Sequence, residues 1–410
     1  MKFYFPDSHD LVDPSFDFET ERRTYNGSRQ RSQQYAHEAL EAAPYDGMLL
    51  SKAVVDGRNK NTRYNFGQVR SLMDNGVHKF LRIEATPERP RLSAMGDCGS
   101  FSFVAEPEPP FTVDEVIEFY GQCGFDYGIS LDHVILGYQP DLKKEIPEDW
   151  RRRHQMTLDL AADFRNKAKT LTHFTPMGAA QGWDPASYRD SVDQLQKMGY
   201  DYVAIGGLVP LKTAEILDVL AAITTVRKKN TRLHLLGISR LECFEEFAAH
   251  GVASLDSTAP LKKAFMDDKH NYHTPDGAFT AVRIPQVDGN PQLKRNILAG
   301  RIDLSEALGL ERACLTSVIA YAKGSGKLTT AVDALRTYES LWNGKKDDSE
   351  RYRETLAARP WEKCQCSICR QLGVHVVIFR GADRNRRRGF HNLFVLHQQL
   401  IQLRPDLTIK

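Results

Sequence analysis

Short apolar runs alternate with amphipathic stretches along most of the first 260 residues or so. GMLLSKAVV (47–55), KFLRIEA (79–85), FDYGISLD (125–132), THFTPMGAAQG (172–182), DYVAIGGL (201–208), LHLLGIS (233–239) and VASLDS (252–257) read as short buried strands. Between them, TVDEVIEFYGQC (112–123) opens on a Thr cap with acidic residues close behind. DPASYRDSVDQLQKMG (184–199) opens Asp-Pro and ends on Gly, and LKTAEILDVLAAITTVRKK (211–229) carries an apolar face. Strand and helix alternating this often predicts parallel strands joined by crossover helices. No Gly-rich dinucleotide turn follows the first of these runs, so the pattern favours a (β/α)₈ TIM-type barrel, an α/β fold, over a doubly wound sheet.

In such a barrel the chemistry gathers where the strands end. Asp132 ends FDYGISLD, Gln181 closes MGAAQ, Gly206 and Gly207 end YVAIGG, Gly237 ends LHLLG and Asp256 ends VASLD; MGDCGSF (95–101) reads as a loop that adds Asp97 beside two glycines. Alone, each has an ordinary structural use, Asp as a helix N-cap and Gly in a turn. Together they place three carboxylates, an amide and bare backbone N–H groups on one rim. That set can read the hydrogen-bonding edge of a planar heterocycle and also do covalent or acid–base work.

Composition changes this picture little. The chain has 410 residues, 41% hydrophobic and 26% charged, enough for one large domain or two ordinary ones with a sizeable core. A net charge of +2 does not advertise a polyanion partner, so a nucleic-acid signal must come from local clustering. The N-terminus lacks the basic start and apolar run of a signal peptide, and no stretch reaches the roughly 18 apolar residues of a membrane span. With seven cysteines, four of them scattered, a cytoplasmic location is expected, with no membrane partner.

The other three cysteines sit in KCQCSICRQLGVHVVIFRGADRNRRRGFHN (363–392). Cys364, Cys366 and Cys369 have the spacing C-x-C-x₂-C, which with a histidine makes a closed, tetrahedral, structural Cys₃His zinc site. An iron–sulfur cluster, which usually wants a fourth Cys, and redox thiols are the other readings, and His375, His391 and His397 compete as fourth ligand. Arg380, Arg384, Arg386, Arg387 and Arg388 follow closely, and five guanidiniums beside a metal-stapled lobe predict a phosphate-backbone contact.

MGDCGSF, ISLDHV, GAAQGW, VAIGGL, LLGIS and GVASLDS, in this order and followed by CQCSIC and HN, resemble the motif series and zinc signature of the tRNA-guanine transglycosylases from about residue 45 to the C-terminus. MKFYFPDS and YDYVAIGGLVP are most similar to the DpdA branch, which exchanges guanine in DNA for a 7-deazaguanine base such as preQ0 as part of a DNA modification and defence system. The resemblance implies that Asp256 is a nucleophile and Asp97 a general acid/base. It further implies that Asp132 and Gln181 read the base edge, that Gly207 and Leu208, with Gly237, line the base pocket, and that the base stacks on Phe101. Such a pocket takes a flipped-out nucleotide. It also selects His391 as the fourth zinc ligand and implies DNA as partner, with further proteins of a modification cluster.

Three blocks are expected: a catalytic barrel over 1–290, a helical insertion over 291–362, and a zinc-binding lobe with a closing helix over 363–410. The insertion, and STAPLKKAFMDDKHNYH in place of the PTR text that usually follows the family's nucleophile, depart from the shorter tRNA enzymes. Exchange in tRNA is the alternative reading, and a non-catalytic, zinc-stapled nucleic-acid-binding subunit a further one. If Arg384, Arg386, Arg387 and Arg388 are not the footprint on nucleic acid, the block Leu304 to Gly344 and Lys262, Lys263 and Lys269 are the next candidates.

Overall fold

Eight short parallel strands close on themselves in chain order: β1 (Lys2–Pro6), β2 (Gly47–Ser51), β3 (Ser93–Asp97), β4 (Tyr127–Ile129), β5 (Thr175–Ala180), β6 (Tyr202–Ile205), β7 (Arg232–Leu235) and β8 (Val252–Asp256). β1 pairs with β8, Tyr4 level with Asp256, and so seals the barrel. The computed structural model describes residues 1–23, 32–58, 64–141, 143–344 and 346–403. The expected (β/α)₈ barrel is therefore present.

The crossover helices start where the sequence signals them. α1 (Phe66–Asn75) precedes β3, and α2 (Val113–Cys123) is capped by Thr112, whose hydroxyl accepts from the Glu115 N–H while the Glu115 carboxylate accepts from the Thr112 N–H. After α3 (Glu148–Lys167), α4 (Pro185–Lys197) begins with proline in its first turn and Asp184 accepting from the Ser187 N–H. α5 (Thr213–Thr224) and α6 (Phe244–Ala249) complete the set.

One expected strand and one expected loop fail, and β1 lies outside the expected runs. KFLRIEA is no strand: a helical turn, Val77–Phe80, leads to Arg82 in the left-handed region at φ 57°. Its apolar residues Phe80, Leu81 and Ile83 are buried all the same, which is why the run looked like a strand. Met95–Asp97 is strand rather than loop, and the preceding β3 residues were passed over. Gly96 disguises it: a Cβ there would fall 2.2 Å from the Tyr120 ring, so the helix packs where a side chain would stand. In GMLLSKAVV only Gly47–Ser51 is strand and Lys52–Val55 is helical.

Side chains alternating into the barrel, among them Tyr4, Leu49, Met95, Ile129, Met177, Ala179, Tyr202 and Ala204, form one buried cluster. Tyr4, Tyr127 and Tyr202 meet edge to face at 5.9–6.2 Å between ring centroids. The barrel is thus filled, which confines any site to its rim.

The chain divides into two compact units that are not consecutive blocks. One comprises 1–9, 45–258 and 400–410; the other comprises 10–44 and 259–399. Residues 404–410, inside the expected closing lobe, lie outside the described residues. The second unit holds α7 (Ala259–Met266), α8 (Pro291–Leu298), α9 (Leu304–Ala322), α10 (Leu328–Ser340), α11 (Ser349–Ala358), α12 (Ser367–Leu372) and most of α13 (Gly381–Gln402). α9, α10 and α11 pack in succession, with Ala307, Cys314 and Val318 buried on α9 and Ala331, Val332 and Leu335 buried on α10. Among the described residues no helix is long and apolar enough to cross a membrane.

Candidate active site and metal centre

β3, β4 and β8 each deliver a carboxylate to the rim of the barrel, from Asp97, Asp132 just past Ile129, and Asp256. Asp132 and Asp256 are buried and Asp97 is half-buried. Burial, then the nearby charges of Asp132 and Asp256, push the Asp97 carboxyl up to about 7, against N–H groups of Gly99 (2.9 Å) and Cys98 that favour its ionised form. Burial raises Asp132 to about 6, opposed by hydrogen bonds from Gln181 and Ser100. The Gln181 amide donates to Asp132 Oδ2 at 2.7 Å, and its Oε1 accepts the Ile135 N–H. Asp256 Oδ1 accepts the Gly237 N–H at 3.0 Å and lies 3.1 Å from His234 Nε2. A rim with one acid poised near neutrality beside other carboxylates is equipped for proton transfer coupled to attack by a carboxylate.

Of the predicted pocket residues, Gly207 lies against Ile135 and Gln181, and Gly237 donates its N–H to Asp256. A Cβ on Gly206 would stand 2.1 Å from Gln181 Nε2, and Gly207 has φ +74°, where a Cβ would meet the Ile135 carbonyl at 2.5 Å. Both positions therefore need glycine to let backbone and amide approach. Leu208 is fully buried, while Phe101, on a single 3₁₀ turn after β3, is 51% exposed. An exposed phenyl beside a polar rim suits stacking of a planar base. Sequence reading missed His234, concealed inside an apolar run, and the pair Ser191 and His154 that fix Gln181: the Ser191 hydroxyl donates to the Gln181 carbonyl and lies 2.7 Å from His154 Nε2.

In the second unit, Cys364, Cys366, Cys369 and His391 bring their ligand atoms within 4.8 Å of one another. The three sulfurs lie 3.4, 3.6 and 3.4 Å from His391 Nδ1. A tetrahedral zinc ion with Zn–S of about 2.3 Å and Zn–N of about 2.0 Å would set those atoms about 3.5 Å apart. His391 Nε2 meets the His273 carbonyl at 2.8 Å, which makes it the protonated nitrogen and leaves Nδ1 as ligand. The cluster could hold a zinc ion. His375 and His397 are not part of it.

The arginine run is the main correction. Arg384, Arg387 and Arg388 are 2%, 6% and 0% exposed, and Arg380 is buried as well. Arg380 and Arg384 share Glu21, Arg380 also pairs with Glu311 at 2.6 Å, and Arg387 pairs with Asp383 at 3.1 Å. Arg386 is committed too, to Asp10 and the Leu11 carbonyl. Arg384, Arg387 and Arg388 share one inward face of α13, and the clustering that looked like a footprint is largely a buried network of ion pairs and hydrogen bonds. Arg388 donates to the carbonyls of Ala264, Val376 and Ile378 and to Asn385. Arg388→Ala should strand those acceptors and leave a cavity, lowering stability by ~3–5 kcal/mol in thermal or denaturant melts, with the salt dependence of any nucleic-acid binding unchanged.

Comparison with known proteins gives a consistent set of matches. The queuine tRNA-ribosyltransferase family matches residues 73–405. A DNA-guanine transglycosylase of Salmonella montevideo is 47% identical over 408 residues, covering 98% of this chain and 96% of its own length. tRNA-guanine(15) transglycosylases of Thermococcus kodakarensis and Pyrococcus abyssi are 27% and 26% identical over 56% and 50% of this chain. Those matches cover only 36% and 32% of the archaeal enzymes.

Proposed function

The chain belongs to the queuine tRNA-ribosyltransferase family, and on that premise we propose that it exchanges guanine in DNA for a 7-deazaguanine base by double displacement at C1′. The observation that carries this reading is the grouping of Asp97, Asp132 and Asp256 on one barrel rim, with Asp97 poised near neutrality. Asp256 attacks C1′, the C1′–N9 bond breaks, its electron pair stays on guanine, and Asp97 protonates the departing base. N9 of the incoming base then attacks C1′, the ester to Asp256 breaks, and Asp97 takes the N9 proton, so acid and nucleophile are both regenerated. Asp132 and Gln181 read the base edge, Gly207, Leu208 and Gly237 line its slot, and Phe101 stacks on it.

DNA is favoured over tRNA because the relative that matches almost end to end is a DNA-guanine transglycosylase, whereas the tRNA enzymes match over about half of this chain. The nucleic-acid footprint passes to the exposed Lys262, Lys263 and Lys269, which follow Asp256 closely in sequence, and to the helical block from Leu304. Cys364, Cys366, Cys369 and His391 hold one Zn²⁺, which supplies cross-linking and no catalytic step. Purified protein given radiolabelled guanine with duplex DNA and with tRNA in parallel should label DNA; label entering tRNA alone would assign it to the tRNA enzymes.

Asp97 supplies a pH test with two readouts. Guanine release requires its protonated form, so the single-turnover rate should fall as pH rises through about 7. The stability effect has a definite sign. Between an unfolded value of about 4 and the folded value near 7, the folded state keeps a proton that the unfolded state loses. Stability therefore falls as pH rises across that window, and the penalty is complete above it. Asp97→Asn should be inactive yet more stable than the parent at pH 8, by up to about a few kcal/mol in denaturant melts, and the gain should vanish by about pH 4.

A further inference from the structure

Directly beneath Asp256, inside the barrel, three polar side chains form a line. His234 on β7 is level with Ser254 on β8, and Ser254 shares the inward face with Asp256 two residues on. His234 Nε2 is 3.1 Å from Asp256 Oδ1, His234 Nδ1 is 2.6 Å from Ser254 Oγ, and Ser254 Oγ meets the Tyr202 hydroxyl at 2.5 Å. His234 and Ser254 are fully buried, and the edge of Tyr4 closes on the imidazole at 6.1 Å. A barrel interior normally takes branched aliphatic side chains, so a hydrogen-bonded polar line through it calls for a function.

We propose that His234 is a positioning residue that fixes which oxygen of Asp256 attacks the sugar, an inference that rests on the reading of Asp256 as nucleophile. The proton inventory gives the line one direction. A bare Nε2 facing an ionised carboxylate would set lone pair against lone pair, so Nε2 carries the proton and donates to Oδ1. Nδ1 must then accept, from the Ser254 hydroxyl, and Ser254 Oγ in turn accepts from Tyr202, whose single proton is thereby used. Every donor has one acceptor and no group is left over. The Gly237 N–H lands on the same Oδ1. Oδ1 is therefore saturated by two donors from β7 and its end, and Oδ2 is the oxygen left to form the bond to C1′. The same two donors hold the carboxylate plane while the ester forms and while it breaks, so both half-reactions depend on them.

The test uses full-length His234→Leu, His234→Gln and Ser254→Ala proteins, with Asp256→Asn as reference, in steady-state exchange of labelled guanine into duplex DNA. His234→Leu should lower kcat roughly 100-fold with KM for DNA within about twofold, the cost of losing alignment at the attacking atom. His234→Gln, whose amide can donate to Oδ1, should recover most of that loss. Nitrogen-15 NMR of the histidines should find His234 protonated at Nε2 and not at Nδ1 in the parent, and mixed in Ser254→Ala with a roughly tenfold lower kcat. The proposal is overturned if His234→Leu keeps kcat within threefold, if only KM moves, or if Nδ1 carries the proton in the parent. Should His234→Leu not fold, Ser254→Ala and the NMR assignment decide. Exchange persisting in Asp256→Asn would instead strike the nucleophile reading, whatever His234 does.

Discussion

Asp256→Ala is expected to abolish base exchange, by on the order of 10⁴-fold or more, while leaving affinity for DNA nearly intact. The loss is large because no neighbouring group can take over. Asp97 is held near neutrality by its surroundings and is needed as the acid, and Asp132 is engaged by the Gln181 amide. Neither offers an ionised oxygen free to attack from the β8 side of the rim. Affinity should hold because a carboxylate contributes nothing to phosphate binding and its removal takes away a negative charge. Mass spectrometry of the protein mixed with DNA should detect a covalent sugar adduct in the parent and none in the variant. A variant that still forms the adduct, or that loses DNA binding in proportion to activity, would remove Asp256 from the role.

Much of this site was legible before any coordinates, and the reason is geometric. Strand ends of a parallel barrel converge on one rim, so polar residues closing apolar runs, such as Asp132, Gln181 and Asp256, must meet there once the barrel is recognised. Residues that serve the rim from below were not legible. His234 sits in LHLLGIS among leucines, and only the register of β7 against β8 brings it level with Ser254 and within reach of Asp256. Sequence spacing carries no information about that pairing.

Gly96 shows a related blind spot. Strand recognition depends on side chains, and SAMGD lacks one at the position where Tyr120 packs. The arginines failed for a different reason. Guanidiniums cluster both on phosphate-binding faces and in buried ion-pair networks, and most of the acids that decide between them, Glu21, Glu311 and Asp10, are remote in sequence. The C-x-C-x₂-C spacing was less ambiguous because three thiols within six residues already restrict the geometry, although the spacing alone left iron–sulfur and redox readings and the choice of histidine open.

That cluster yields the other large effect. Cys366→Ala is expected to strip the metal and unfold the second unit rather than slow the reaction. In small zinc modules metal binding is worth roughly 10–16 kcal/mol near neutral pH, comparable to or larger than the typical 5–15 kcal/mol net stability of a domain. Cys366 is the thiol that also caps a helix: its sulfur accepts the Cys369 N–H at 3.3 Å at the start of α12, and it faces His391 Nδ1 at 3.6 Å. Its loss opens the tetrahedron and the first turn of α12 together. The damage reaches further through His391, whose ring stacks on Tyr272 at 4.0 Å and whose Nε2 donates to the His273 carbonyl. Elemental analysis should give one zinc per chain in the parent and well under one in the variant, and the melt should lose or sharply lower one transition. His375→Ala, outside the cluster, should keep its zinc. If Cys366→Ala retained full metal content and the parent's melting temperature, the four ligands would have to be reassigned.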